Sequence, residues 1–396
     1  TLLPPALPEP LPGESTRNSR RRGPTLTDQP SRPAARWRVA IVHSWLNQYG
    51  GAERVLEHLH GLFPRAPIYT SMFEPRVFPA FYRSWDIRTS FLQRVPLSRS
   101  HHQMMLLFYP MAFESFDLSE YDLVLSLSSG FSHGVRVPGG RHVSYCLTPP
   151  RFLWTFDSYV RLEGVGRATR LALSLIVPLL RRWDALAARR VDTFVAISRV
   201  VQERIDRCYA RPSRVIYPAI VDVDSFQTSD EVDDYFLVVS RLIPYKRIDL
   251  AIEACNRLKL PLKIVGGGRS QAALEHLAGP TVEFVGKVDE ATLRRMYARC
   301  RALIFPGEED LGLTPIEAQA AGRPVIALGR GGTRETILDG ESGLFFAEQS
   351  VDSLVGALQR FDHCAYDPVR IREHARSTFD LSVFREQFLD FLEGEL

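Results

Sequence analysis

The chain has 396 residues, 45% of them hydrophobic and 24% charged, an ordinary globular composition that excludes a disordered, collagen-like or disulfide-scaffold protein. Its formal charge is +3; residues 1–36 hold six Arg against three acids, so the remainder balances at 43 of each sign, which excludes a general nucleic-acid binder. Two domains are expected at this length, because single cores stop growing near ~250 to 300 residues.

Residues 1–36 carry eight of the 27 prolines together with Arg20, Arg21 and Arg22, and are predicted to form a flexible tail. No apolar segment follows these basic residues, so a secretory signal is not expected. The five cysteines (Cys146, Cys208, Cys255, Cys300 and Cys364) form no C-x-x-C pair, so neither a disulfide framework nor a zinc site is predicted and a cytoplasmic location is expected. The longest apolar run, Leu171 to Leu180, contains Pro178 and falls short of the ~18 residues that a membrane span requires.

A β-branched run at 38–42, a turn at Gly50-Gly51 and apolar residues at Ala52, Val55, Leu56, Leu59 and Leu62 predict strand, glycine turn and amphipathic helix, the opening of a doubly wound α/β domain. Further strands are predicted at 123–127, 143–146, 193–197 and 215–217, giving a first Rossmann-like domain over 37–218. Turn formers and acids at 218–234 mark a boundary. From Tyr235 strands at 235–240, 262–265, 282–285, 302–305 and 324–327 alternate with helices at 247–258, 270–277, 290–299 and 315–321. These predict a second parallel-sheet domain over 219–379, with a helix at about 380–396 free to pack back on the first. Two such domains leave a cleft at the carboxyl ends of both sheets.

The most informative segment runs from Phe305 to Val325. Thr314, Pro315 and Glu317 read as a capping box opening a helix that Gly322 and Pro324 close. The amides around Gly312, Leu313 and Thr314 suit a diphosphate. On the residues alone Glu317 could simply cap its helix, Glu309 could be solvated, or the two could be metal ligands. Arg241 and Lys246 read alone as surface charge, and Gly266-Gly-Gly268 as a tight turn. Asp222-Val-Asp224 looks like a metal-binding Asp-x-Asp but sits in the presumed linker and is read as a turn. Between Arg161 and Arg190, seven Arg and two acids surround the apolar run, so 161–190 is either a membrane-surface segment or a helix with a solvated basic face.

The run Glu309-Asp-Leu-Gly-Leu-Thr-Pro-Ile-Glu317 resembles the signature of retaining family-four glycosyltransferases, which have the GT-B fold. Gly50-Gly51-Ala-Glu resembles their amino-terminal glycine loop, Ser240-Arg-Leu-Ile-Pro-Tyr-Lys246 their basic diphosphate clamp, and Gly266-Gly-Gly268 with Val282-Glu-Phe-Val-Gly286 the turns lining their nucleotide pocket. Tyr145-Cys-Leu-Thr-Pro-Pro-Arg-Phe-Leu-Trp154 and Ala196-Ile-Ser-Arg resemble bacterial mannosyltransferase-like enzymes of surface polysaccharide assembly. There Leu147 replaces a usual His, and His133 is the nearest candidate substitute.

The resemblance implies transfer of a hexose from a GDP- or UDP-sugar, GDP-mannose first, to a lipid-linked saccharide, with retention and without a metal or a permanently bound cofactor. It implies Glu309, Arg241 and Lys246 as catalytic. Gly50, Gly51, Gly266, Gly267, Gly286, Lys287, Val288, Gly312, Leu313, Thr314 and Glu317 would bind the nucleotide sugar, and His133, Tyr145, Arg151 and Trp154 would face substrate. A peripheral place on the inner face of the cell membrane is expected. The alternatives are a sugar-nucleotide epimerase of the same fold, a glycogen-phosphorylase-like enzyme, which would need a pyridoxal-bearing Lys, and a degenerate, non-catalytic binding protein, motivated by Leu147.

Overall fold

The computed structural model describes residues 37–96, 105–156, 167–219 and 222–395; the predicted tail and residues 161–166 lie outside the described residues. Strands β1 (Val39–His43), β2 (Ile68–Thr70), β3 (Ile87–Thr89), β4 (Leu123–Ser128), β5 (Arg141–Cys146), β6 (Thr193–Ala196) and β7 (Ser213–Val215) form a first sheet in the order β3-β2-β1-β4-β5-β6-β7. A second sheet takes β8 (Phe236–Val239), β9 (Leu262–Val265), β10 (Val282–Gly286), β11 (Ala302–Phe305), β12 (Val325–Leu328) and β13 (Gly343–Phe346) in the order β10-β9-β8-β11-β12-β13. Neighbouring strands within each sheet run parallel, and the expected pair of doubly wound α/β units is what the chain forms.

The local reason is composition. Strands such as Val-Ala-Ile-Val-His, Ala-Leu-Ile-Phe and Val-Ile-Ala-Leu are buried along their whole length, as central parallel strands must be when helices cover both faces. Sequence reading missed the short strands β2, β3 and β13.

After β13 the chain forms helices Val351–Arg360, Pro368–Phe379 and Leu381–Glu395. The last lies against the first sheet: Phe384 and Phe388 sit 6.1 and 5.6 Å from the Tyr145 ring, and Thr193 Oγ1 donates to Glu395 Oε2 at 2.8 Å. Burial of each of these phenylalanines contributes about 1.5 to 3 kcal/mol. This helix therefore ties the end of the chain to the first half.

Each sheet has one point where strand order reverses direction, between β1 and β4 and between β8 and β11. Ligands of such sheets bind beyond the carboxyl ends of the strands at that crevice.

Candidate functional site

At the crevice of the second sheet, β8 runs into the turn Pro244–Lys246 and β11 into the loop that precedes the helix Leu313–Ala320. A recess between them is lined by Val239, Ser240, Lys246, Phe305, Pro306 and Gly307. Lys246 Nζ lies 2.5 Å from Glu309 Oε1 and 5.4 Å from the Tyr245 ring centre. The exposed Arg241 reaches the Tyr245 hydroxyl at 3.3 Å. Arg241, Tyr245, Lys246 and Glu309 thus form one cluster at the end of β8.

The helix Leu313–Ala320 begins with no side-chain cap, on Gly312 at φ +91°. This corrects the predicted capping box. Helix geometry starts one residue before Thr314, so Glu317 falls outside capping position, and its carboxylate goes elsewhere. Pro315 has no amide to offer, which leaves the Gly312, Leu313 and Thr314 amides at the positive end of the helix dipole. Thr314 Oγ1 is buried beside them with no hydrogen-bond partner among the described residues. A buried hydroxyl next to free amides is suited to accept a polyanion.

Glu317, 3% exposed, pairs with Arg54 Nη1 and accepts from the Tyr297 hydroxyl at 2.7 Å. Burial, reinforced by the Glu317 charge, pushes the Tyr297 phenol far above its ordinary range, so it stays a donor. Arg54 belongs to the helix Gly51–Leu62 of the first half, whose first residue faces the second half: a Cβ on Gly51 would fall 2.5 Å from Leu313 Cδ1. The predicted glycine loop and the predicted phosphate helix meet here, with Gly50 as helix cap.

Two further contacts cross between the halves. Asp310 takes Arg151 Nη2 at 2.6 Å and the Arg204 guanidinium, and Arg151 also lies over the Tyr245 ring, 5.9 Å from its centre. Glu335 accepts from the amides of Arg199 and Val200 at 2.8 and 3.2 Å and from the Tyr217 hydroxyl at 3.1 Å. It adds a carboxylate to the amino end of the Arg199–Tyr209 helix, where the dipole favours it.

Gly266, Gly267 and Gly286 gather on the other flank. Gly266 has φ +130°, and a Cβ there would strike the Ser240 carbonyl at 1.9 Å; only glycine allows the two backbones to close. Gly266 N donates to Gly286 O at 2.8 Å, and Lys287 Cε lies 3.8 Å from a Cβ built on Gly267. Val288 follows, half-buried against the core.

The residues expected to face substrate separate. Arg151 joins the cluster. Tyr145 does not: it is fully buried, its hydroxyl donates to Ile216 O at 2.9 Å, and it serves as a core residue. His133 is also buried, not a solvated loop residue, with Nδ1 3.0 Å from Ser128 Oγ and Nε2 3.2 Å from Asp184 Oδ1. Both ring nitrogens face protein groups, so His133 cannot stand in for a histidine at 147. Trp154 Nε1 donates to the same Asp184 at 2.7 Å. Leu147 is buried and only its amide is engaged, to Ser128 O at 2.8 Å. Burial raises the neighbouring Cys146 thiol well above its ordinary value, so it carries no thiolate.

Asp222 and Asp224 form a turn, with Asp222 Oδ1 accepting from Asp224 N at 3.2 Å and Asp224 paired with Arg376 at 2.6 Å. Among the described residues three possible metal-ligating groups converge at Asp362, His363 and Cys364, outside this cluster. Sequence reasoning missed Arg54, Arg204, Tyr245, Asp310, Tyr297 and Glu335. Asp310 and Tyr245 stand inside the quoted motifs, but a motif does not say which of its neighbours will pair across a domain interface.

Residues 49–223 match the family model described as Glycosyltransferase Family 4, and residues 223–378 the one described as Glycosyl transferases group 1. An uncharacterized glycosyltransferase of Methanocaldococcus jannaschii is 23% identical over 173 residues, 42% of this chain and 49% of that one. A glycogen synthase of Pseudomonas paraeruginosa is 35% identical over 134 residues, 32% of this chain and 26% of that one. The chain therefore spans about half or less of the length of these curated relatives. Among solved structures, Anabaena HepE in complex with UDP has a TM-score of 0.67 at 17% identity, covering 90% of this chain and all of that one. Sucrose-phosphate synthase of Thermosynechococcus elongatus has a TM-score of 0.69 at 19% identity, covering 90% and 98%. These likenesses carry the two-domain GT-B fold.

Proposed function

Since the chain belongs to the GT-B glycosyltransferases of family 4, we propose that it moves a hexose from a nucleotide sugar to a hydroxyl of a lipid-linked saccharide with retention of configuration. The observation that carries the donor half of this reading is the Lys246–Glu309 pair at the loop that leads to the uncapped amino end of the Leu313–Ala320 helix, where the Thr314 hydroxyl is left unpartnered. A departing diphosphate needs its charge neutralised, and cations with helix amides supply that without a metal. In this reading Lys246 and Arg241 draw on the diphosphate, Glu309 holds a hydroxyl of the donor sugar, and Glu317 exchanges its Arg54 contact for the ribose hydroxyls. The diphosphate oxygen takes the acceptor proton, so no side-chain nucleophile is needed.

The sequence motifs favour GDP-mannose as donor, whereas HepE is described in complex with UDP-glucose. Thermal-shift measurements with GDP-, UDP- and ADP-sugars separate the two, because a ligand that binds only the folded chain raises its melting temperature. Lys246→Ala is expected to lower transfer about a hundredfold, in line with loss of one transition-state donor, with an unchanged melting temperature. Near-normal turnover in that variant refutes the clamp. The second reading, a non-catalytic binding protein, draws on the apolar, buried Leu147; nucleotide binding without measurable transfer to any saccharide acceptor would select it.

A further inference from the structure

The helix Arg167–Ala188 presents to solvent a face that ordinary globular surfaces do not have. Leu171, Leu175, Leu179 and Leu186 are 67%, 76%, 64% and 47% exposed. At about 100° per residue these four lie within one narrow stripe, which runs about 22 Å along the helix. The same stripe carries the exposed Pro178 and Arg182, and the exposed Arg189 follows directly after the last turn of the helix. The one acid of the helix, Asp184, is fully buried on the opposite side, holding Trp154 and Tyr209. The outward face is therefore leucine and arginine without an acid.

A second segment adds to it. Leu107, Phe108 and Met111 are 46%, 46% and 61% exposed. Their segment is held against the long helix by Trp183 Nε1 and Arg190 Nη2, which donate to Glu114 at 2.8 and 2.9 Å. The inward faces of both elements share one buried core with Phe113, Val177 and Leu180, so the exposed side chains are an outer layer over a finished core.

We propose that this face is a docking surface for an anionic lipid bilayer, with the leucines entering the acyl boundary and Arg182 and Arg189 meeting lipid phosphates. Charge selects this occupant: an apolar stripe flanked by arginines and free of acids complements an anionic headgroup layer, whereas a second copy of the chain would bring arginine against arginine. The surface also adjoins the cleft. Arg181 of the same helix donates to Leu153 O at 3.1 Å, in the short helix that carries Arg151, the residue paired with Asp310. A bilayer held here stands beside the crevice, which deepens the lipid-linked acceptor reading and rests on it for its role.

Sedimentation of the full chain with vesicles tests the surface without any transfer assay. Binding is expected to phosphatidylcholine vesicles containing one-third phosphatidylglycerol, weaker to phosphatidylcholine alone, and weaker as salt rises. The triple variant Leu171→Gln, Leu175→Gln, Leu179→Gln should bind the anionic vesicles at least about tenfold more weakly, with an unchanged melting temperature because the replaced side chains are exposed. Arg182→Gln with Arg189→Gln should remove the salt dependence. Wild-type binding by the triple variant, or no binding by the wild type, overturns the proposal, as does a dimer in light scattering that the same leucine changes dissolve. Each of these failures leaves nucleotide-sugar binding intact, so the docking surface and the transferase reading fail separately.

Discussion

The two sheets end in crevices of the same topology and different chemistry. At the β1–β4 crevice most polar side chains face one another: His43 Nε2 meets Glu53 at 3.3 Å, Ser44 Oγ meets Ser132 Oγ at 3.2 Å, and Ser128, His133 and Asp184 form a buried chain that also takes Trp154 and Tyr209, while His43 Nδ1 has no hydrogen-bond partner among the described residues. At the β8–β11 crevice the Thr314 hydroxyl is left without a partner and the helix beside it without a cap. Polar groups paired with one another hold a fold; an unmet hydroxyl beside free helix amides at a surface recess is placed for an anion. The first crevice pairs most of its polar groups with one another, the second sets an unmet hydroxyl beside an uncapped helix end, and each crevice can be probed for the property the other lacks.

The largest effect is expected at Asp184. Its carboxylate is fully buried and serves His133, Trp154 and Tyr209 together. Asp184→Ala leaves the Trp154 and Tyr209 donors without their acceptor and removes the carboxylate beside His133 Nε2, and should cost about 1 to 3 kcal/mol of stability for each unmet buried donor. Chemical denaturation with and without nucleoside diphosphate reads this. A variant of normal stability whose donor affinity alone collapses would move His133 back among the ligand contacts and erase the contrast.

The next effect is in pH. His142 is 1% exposed on β5, with Nε2 2.9 Å from Ser126 Oγ. Burial, with the nearby His133 and Arg190 charges, pushes it from 6.5 down to about 3. Above pH ~6.5 both folded and unfolded chains hold this ring neutral, so it contributes no pH dependence. Between pH ~6.5 and ~3 the unfolded chain takes up a proton that the folded one refuses, so stability falls as pH falls, by about 2 kcal/mol from 6.5 to 5. Melting curves across that window should show the slope, and His142→Asn should flatten it whatever its effect at neutral pH. An unchanged slope in the variant would assign the acid sensitivity to other groups, of which His58 and His60, each pushed down to about 4 chiefly by burial, are the candidates.

Legibility from sequence follows the same division. Both sheets could be read because their central strands are continuous apolar runs and their helices amphipathic. The donor crevice could be read because its groups lie close together in sequence, in the loop after β11 and the turn after β8. The first crevice could not: Ser128, His133, Trp154, Asp184 and Tyr209 come from five elements spread over 82 residues, and nothing local in Tyr145 or His133 tells a buried packing role from a substrate contact. Arg54 and Glu317 are 263 residues apart, and a pair of that separation is made by the fold alone.

The smallest effect is the one that cuts between the crevices most cleanly. Thr314 Oγ1 is buried and unpartnered, so Thr314→Val, which keeps the branched shape, deletes a group that burdens the free protein with an unmet hydrogen bond. Without ligand the variant should melt at the same temperature or slightly higher, because an unsatisfied buried hydroxyl costs about 1 to 3 kcal/mol. With nucleoside diphosphate the sign reverses. A hydrogen bond to a charged oxygen contributes about 1.5 kcal/mol at the low end, so affinity should fall roughly tenfold. Calorimetric titration of wild type and variant with GDP and UDP measures this directly. Opposite signs in the two measurements are the mark of a group held for a ligand, and a variant that loses stability while keeping its affinity would place Thr314 with the self-satisfied residues of the other sheet.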